Sequence, residues 1–290
     1  MNGIIVINKP KGKTSHNMVS FMRRLTQIKK IGHTGTLDPM ATGVLPICIG
    51  SATKAADMLT LSDKGYRAEF VLGKTTDTLD AEGTVNGEYE VNVTEKDVKD
   101  AVMSFVGEIE QIPPMYSAIK QQGKKLYELA RKGVEVEREP RRVTIHSIDI
   151  LEIDMANNRV VINIMCSKGT YIRTLCDDIG KKLKTGAYMI ALERVKTGPF
   201  TIDEALSLEE LEKRYNEGTL ELMPTDKLFA DLPQIRLNDK QKKSIVNGVR
   251  MTYRDGIEGQ SYRLYDMDNE FLCISRIEDG RLVLVKSFWV

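Results

Sequence analysis

Apolar positions along this chain follow two rhythms, one of strands and one of helices. Ile4-Ile5-Val6-Ile7 is an unbroken apolar run and predicts a short buried strand over 3–8. Met18, Phe21, Met22 and Leu25 recur at helical spacing, and Thr14 or Ser15 can cap a helix running to about Gln27. Val44 to Ile49 predicts a strand, residues 52–61 a second helix, and Tyr66 to Leu72 alternates like a half-buried strand. A helix near 95–106 has Thr94 as its cap and Lys96, Asp97, Lys99 and Asp100 on its wet side. Strands follow at 143–154 and 159–166, then a helix from about Tyr171 to Lys184. Segments 186–195 and 209–215 continue the mixture.

These elements lack the regular alternation of a doubly wound sheet, so the expected class is α+β. From about Leu232 the texture changes to short apolar runs parted by Asp255-Gly256, Asp268-Asn269 and Asp279-Gly280. Those turn signals predict a small β module over 232–290, behind a main domain over 1–231.

Composition narrows the function classes only modestly. Of 290 residues, 41% are hydrophobic and 29% charged, which is ordinary for a globular protein. No apolar run reaches the length of a membrane span, and the first strand is too short for a signal peptide, so a cytoplasmic location is expected. Cys48, Cys166, Cys176 and Cys273 form no C-x-x-C pair, and His16, His33 and His146 are scattered. Reduced, buried thiols and no metal are expected.

Charge is unevenly placed. Before Asp38 the chain carries Lys9, Lys11, Lys13, Arg23, Arg24, Lys29 and Lys30 and no carboxylate. Asp38 sits within Gly32-His33-Thr34-Gly35-Thr36-Leu37-Asp38-Pro39-Met40-Ala41-Thr42-Gly43, a shaped loop between two apolar segments. A lone acid after a basic arm suits an anionic polymer held by the arm and acted on by the acid. Asp-Pro also opens ordinary turns, and Arg23, Arg24, Lys29 and Lys30 suit a helix C-terminus without any ligand.

A second basic stretch spans 112–142, between Pro113-Pro114 and Pro140. It carries Lys120, Lys124, Lys125, Arg131, Lys132 and Arg138 with Tyr127 interleaved, a pattern shared by nucleic-acid grips and charged surface helices. Gly12-Lys13-Thr14 and Gly73-Lys74-Thr75 are not phosphate loops, because Ile7 and Ala68 stand where the motif needs glycine. In Cys166-Ser167-Lys168-Gly169-Thr170-Tyr171-Ile172-Arg173, Thr170 can cap the following helix. Arg173 then falls in the first turn, where a cation opposes the helix dipole and calls for an anionic neighbour such as Asp38 or Asp177.

Taken together, these motifs carry a family resemblance. The Asp38 segment resembles the catalytic motif of TruB-type tRNA pseudouridine synthases. Asn8-Lys9-Pro10-x-Gly12-x-Thr14-Ser15, Asp63-Lys64-x-Tyr66, Thr76-Asp77-Thr78-x-Asp80-x-x-Gly83 and Lys168 to Arg173 resemble the others, in family order. Gln111-Ile112-Pro113-Pro114-Met115-Tyr116-Ser117-Ala118 is similar to the start of the family's RNA-gripping thumb.

The resemblance implies a pseudouridine synthase fold, with a central mixed, mostly antiparallel sheet flanked by helices and a C-terminal PUA-like module. It implies isomerisation of the T-loop uridine, position 55 of tRNA, after the base is flipped out. Asp38 would be the catalytic carboxylate, attacking the sugar or the base or taking a ribose proton. Arg173 would orient it, and Tyr66 would stack on the uracil and help move the C5 proton. His33 would fill the space left by the flipped base, Tyr171 and Leu192 would wall the pocket, and Asp80 would support the site by hydrogen bonding. Lys9, Lys120, Lys124 and Lys125 would meet phosphates. No cofactor, no obligatory protein partner and a monomer are expected, with tRNA bound through its T-arm and elbow. The alternatives are a non-catalytic RNA chaperone and a subunit that takes its target from a guide RNA.

Overall fold

The structure is a computed structural model that describes residues 1–121 and 123–289; Gln122, inside the predicted thumb, lies outside them. The chain begins with β1 (Gly3–Lys9), helix α1 (Ser15–Thr26), β2 (Ile31–His33) and β3 (Thr42–Ile49). After a 3-10 turn over Gly50–Ala55 come α2 (Ala56–Thr60), β4 (Lys64–Leu72) and a hairpin of β5 (Lys74–Thr76) with β6 (Val85–Glu88). Next are α3 (Glu95–Met103), β7 (Gly107–Gln111), a small hairpin of β8 (Lys120–Gln121) with β9 (Lys124–Lys125), and α4 (Leu126–Ala130). Long strands β10 (Arg141–Asp154) and β11 (Arg159–Cys166) lead to α5 (Ile172–Leu183), β12 (Ala187–Thr197), β13 (Phe200–Thr201) and α6 (Leu208–Asn216). The C-terminal part holds β14 (Gln234–Arg236), α7 (Asp239–Val246), β15 (Met251–Thr252), β16 (Ser261–Tyr265), β17 (Phe271–Glu278) and β18 (Arg281–Ser287).

Among the described residues the central sheet has nine strands in the order β1-β3-β12-β4-β11-β10-β7, with β2 on β3 and β13 on β12. Every pairing is antiparallel except β3 with β12, where Thr42 and Gly43 meet Glu193 and Arg194. The expected α+β class and mixed sheet are therefore observed. Burial explains the sequence rhythms. In β11 alternate residues face a core built with α1, α3 and α5, giving period two. In β1 both faces are covered: Ile5 and Ile7 join that core, and Ile4 and Val6 join a second cluster with Leu59 and Phe200. Hence its unbroken apolar run.

Local capping sets the helix that precedes the Asp38 loop. Thr14 accepts from the Asn17 amide at 3.1 Å, the Asn17 side chain accepts from the Thr14 amide at 2.8 Å, and α1 ends at Gln27 in the left-handed region. The predicted helix over 52–61 is instead a 3-10 turn followed by the short α2. The β5–β6 hairpin and β7 have no counterpart among the predicted elements.

The C-terminal strands form their own five-stranded sheet, β14-β16-β17-β18-β15, around Leu237, Ile245, Leu264 and Ile277. This sheet docks on the main body through Ala55, Phe229, Ile274 and Phe288, with the Phe271 and Phe288 rings stacked 5.0 Å apart. Among the described residues no helix is long and apolar enough to cross a membrane.

Candidate active site

The loop from His33 to Thr42 is fixed from several sides. Leu37, Met40 and Ala41 are buried and anchor it in the core. The Leu37 amide donates to Ser15 Oγ at 2.8 Å, the Gly12 amide donates to the Pro39 carbonyl at 2.8 Å, and Gly35 takes a positive φ of 84°. Between these anchors the Asp38 side chain keeps 39% of its surface exposed. A rigid loop thus presents one carboxylate to solvent.

Arg173 holds that carboxylate. Its side chain is only 5% exposed, and its Nη2 lies 2.9 Å from Asp38 Oδ2. Nη1 lies 3.4 Å from Asp80 Oδ2, and the same guanidinium donates to the carbonyls of Thr78 and Tyr116 at 3.0 and 2.9 Å. The two carboxylates answer a cation that faces the positive end of α5. Asp177, the other candidate partner, pairs with Lys181 at 2.6 Å. Asp80 is buried, and its Oδ1 accepts from Thr78 Oγ1 at 2.6 Å and from the Glu82 amide at 3.1 Å. Its turn is tied to β12, because the Ala81 amide donates to the Met189 carbonyl and the Met189 amide to the Leu79 carbonyl.

Tyr66 enters from β4, and burial pushes its phenol above the usual range against the opposing pull of Arg194. His33 ends β2 with its Nδ1 buried and without a hydrogen-bond partner among the described residues. Burial first, then Arg194 and His16, lowers its imidazole from the ordinary histidine range and so favours the neutral ring. Tyr171 occupies the N-cap of α5, and burial raises its phenol too. Leu192 is buried on β12, across from Ala68 of β4.

Two expectations need correction. Lys9 does not reach toward phosphates; it is fully buried, and its Nζ donates to the carbonyls of Pro10, Lys13 and Pro39 at 3.0, 2.6 and 3.2 Å. The chain folds these carbonyls over the amine, so Lys9 clamps the start of the chain to the Asp38 loop. Burial lowers this amine to about 8. Thr170 does not cap α5, because its hydroxyl donates to the Ser167 carbonyl. Gln111 serves there instead: the Tyr171 amide donates to its Oε1 at 2.8 Å, and its Nε2 donates to the Tyr171 carbonyl at 3.0 Å.

On the predicted thumb, Lys120 and Lys124 are exposed, and the Lys125 ammonium and Arg131 guanidinium each lie 5.5 Å from the Tyr127 ring. The residue missed most plainly is Arg194. It is 1% exposed, donating from Nε to the Val44 carbonyl at 2.8 Å and from Nη2 to the Gly35 carbonyl at 3.1 Å. The signal was present, since Arg194 follows Met189 and Leu192 on the inward face of an alternating strand.

Both the sequence and the fold match known proteins. Residues 23–172 match a family model described as TruB family pseudouridylate synthase, N-terminal domain. The chain belongs to the TruB family. Residues 173–230 match a second model, the tRNA pseudouridylate synthase B C-terminal domain, so the two together cover the loop that supplies Asp38 and the helix that supplies Arg173. Among TruB relatives, a Clostridium kluyveri protein named tRNA pseudouridine synthase B is 46% identical, over 99% of this chain and 100% of that one. A namesake from Saccharophagus degradans is 42% identical over 99% of this chain and 95% of its own. A chain from a crystal structure titled as a Cbf5-Nop10-Gar1 complex superposes with a TM-score of 0.76 at 26% identity. That match covers 99% of this TruB chain and 85% of the other.

Proposed function

We propose that this chain is a tRNA pseudouridine synthase that converts the T-loop uridine, position 55, by flipping the base and breaking and remaking its glycosidic bond around Asp38. One observation carries the reading: a half-exposed carboxylate on a rigid loop, 2.9 Å from a buried guanidinium. A carboxylate held and oriented by that guanidinium suits attack on the sugar or the base, and equally removal of a ribose proton. The target base is stacked in a folded loop, so it must leave the stack to meet Asp38. Tyr66 would then lie against the uracil, Tyr171 and Leu192 would bound it, and the neutral ring of His33 would stack where it had been.

The thumb lysines Lys120, Lys124 and Lys125, with Tyr127 between cations, suit a phosphate grip. The C-terminal sheet over 234–287 suits a PUA-like RNA-binding module that touches the acceptor side of tRNA. The reading also takes the protein to act alone, as a monomer in the cytoplasm and without a cofactor. Near full-length identity of 42–46% to proteins named tRNA pseudouridine synthase B favours it over a guide-RNA-dependent subunit. The test is tritium release from C5-labelled uridine in a bare tRNA transcript. Release without added factors is expected; tight binding with no release would assign the chain to a chaperone role instead.

A further inference from the structure

Arg194 poses a question that its structural contacts do not answer. A fully buried guanidinium is costly unless a carboxylate or a dense set of acceptors answers it. Among the described residues no carboxylate lies within ion-pair distance of Arg194; its partners are two carbonyls, of Val44 and Gly35. Arg173, by contrast, has both Asp38 and Asp80. The molecule therefore places two buried guanidiniums at one site, one neutralised and one not.

The topology puts Arg194 at a junction. Across the sheet it pairs with Tyr66 of β4 on one side and with Gly43 of β3 on the other. A Cβ at Gly43 would sit 2.3 Å from the Arg194 carbonyl oxygen, so glycine is needed for the backbones to meet there. The guanidinium then shares a face of the sheet with the side chain of its cross-strand partner Tyr66 and donates to the Gly35 carbonyl of the Asp38 loop. Its field reaches Lys9, His33 and Lys64, each of which it pushes toward its neutral form. Asp38 and Cys166 are the acidic groups facing the phenol.

We propose that Arg194 is a positioning residue of the reaction: held beneath the loop that carries Asp38, its unanswered cation orients the Tyr66 phenol and lets that oxygen carry negative charge while it takes the C5 proton. This rests on the synthase reading above. In the reaction the N1–C1′ bond breaks with its electron pair going to the uracil, and C5 then bonds to C1′. The adduct has a hydrogen on C5 that must leave and a vacant N1 that must gain one. Tyr66 takes the first as its own proton passes through water to N1, so the phenol ends as it began. No oxidant or reductant is involved. Among the described residues the cross-strand partners of Tyr66 are Ile164 and Arg194, and of these Arg194 is the cation.

The parent protein, Arg194→Gln and Arg194→Lys are compared in single-turnover tritium release from the bare transcript, from about pH 6 to about pH 10. In parallel, 3,5-difluorotyrosine at position 66 reports ionisation of that phenol by fluorine NMR. Arg194→Gln is expected to keep tRNA affinity, lose roughly 100-fold in rate and regain part of it as pH rises. Its fluorine titration moves to higher pH by about one pH unit or more. Arg194→Lys keeps the parent's pH profile and fluorine titration with a smaller loss. Should the glutamine variant fail to fold, the lysine variant decides: a shifted profile or titration there overturns the proposal. So does an unmoved titration in Arg194→Gln, or equal loss in both variants at every pH. A parent that releases no tritium would instead sink the synthase reading, and the fluorine titration would still judge the contact.

Discussion

Arg173 and Asp38 meet at 2.9 Å through the same guanidinium nitrogen that serves the Tyr116 carbonyl at the root of the thumb. One buried cation therefore ties residues 112–142 to the Asp38 loop. Asp38→Asn preserves the size of the side chain but removes its charge and its nucleophilic oxygen. Tritium release is expected to fall to background, with tRNA affinity by filter binding within about threefold of the parent, because Asp38 supplies no phosphate contact. Retained turnover would remove Asp38 from its role.

Arg173→Ala leaves the buried Asp80 carboxylate without its cation. Breaking a buried pair of this kind costs roughly 3–5 kcal/mol of stability, and turnover is expected to drop by at least about 100-fold. Asp80→Asn keeps the Thr78 and Glu82 hydrogen bonds and is expected to be milder on both counts. Denaturant unfolding and tritium release check the pair; a near-normal rate in Arg173→Ala contradicts the arrangement.

Lys9 gives a prediction in pH. Burial first, then Arg194, lower its amine to about 8 against the opposing pull of Asp38 and Glu82, whereas the unfolded chain keeps the ordinary lysine value of 10.5. Above about pH 8 the unfolded state binds the extra proton, so this group's contribution to stability grows until about pH 10.5. Lys9→Met strands the Pro10 and Lys13 carbonyls, at about 1–3 kcal/mol for each one left unsatisfied, and abolishes the titration, while the Pro39 carbonyl keeps the Gly12 amide. Denaturant midpoints of parent and variant should diverge in the parent's favour as pH rises through that window. A gap that stays constant would refute the burial argument.

The thumb gives a prediction in salt. Replacing Lys120, Lys124 and Lys125 by alanine should weaken tRNA binding at low salt. It should also flatten the plot of log affinity against log salt by about one for each phosphate no longer neutralised. An unchanged slope would exclude these lysines from the interface.

The chain reveals its fold wherever burial imposes a period, as in β11, α1 and α5. It reveals the Asp38 loop because glycine, proline and an isolated acid cluster there. Lys9 misleads because a lysine beside Pro10 and Gly12 reads as solvent-facing; only the folded loop shows three carbonyls closing over it. Arg194 is hidden for the opposite reason. Its place on an apolar face is visible, but its partners lie 150 and 159 residues away along the chain. Gln111 is invisible as a cap because it lies 60 residues from the helix it completes. Local propensity carries no trace of such long-range partners.

Gln111 also has a mechanical consequence. Its carboxamide grips both polar groups of the Tyr171 peptide backbone, and the thumb sequence starts with the very next residue. Any leverage exerted by residues 112–142 must pull against this double latch before it can move Tyr171 and the start of α5. The segment can then yield at its far end while the anchor at its near end keeps its shape.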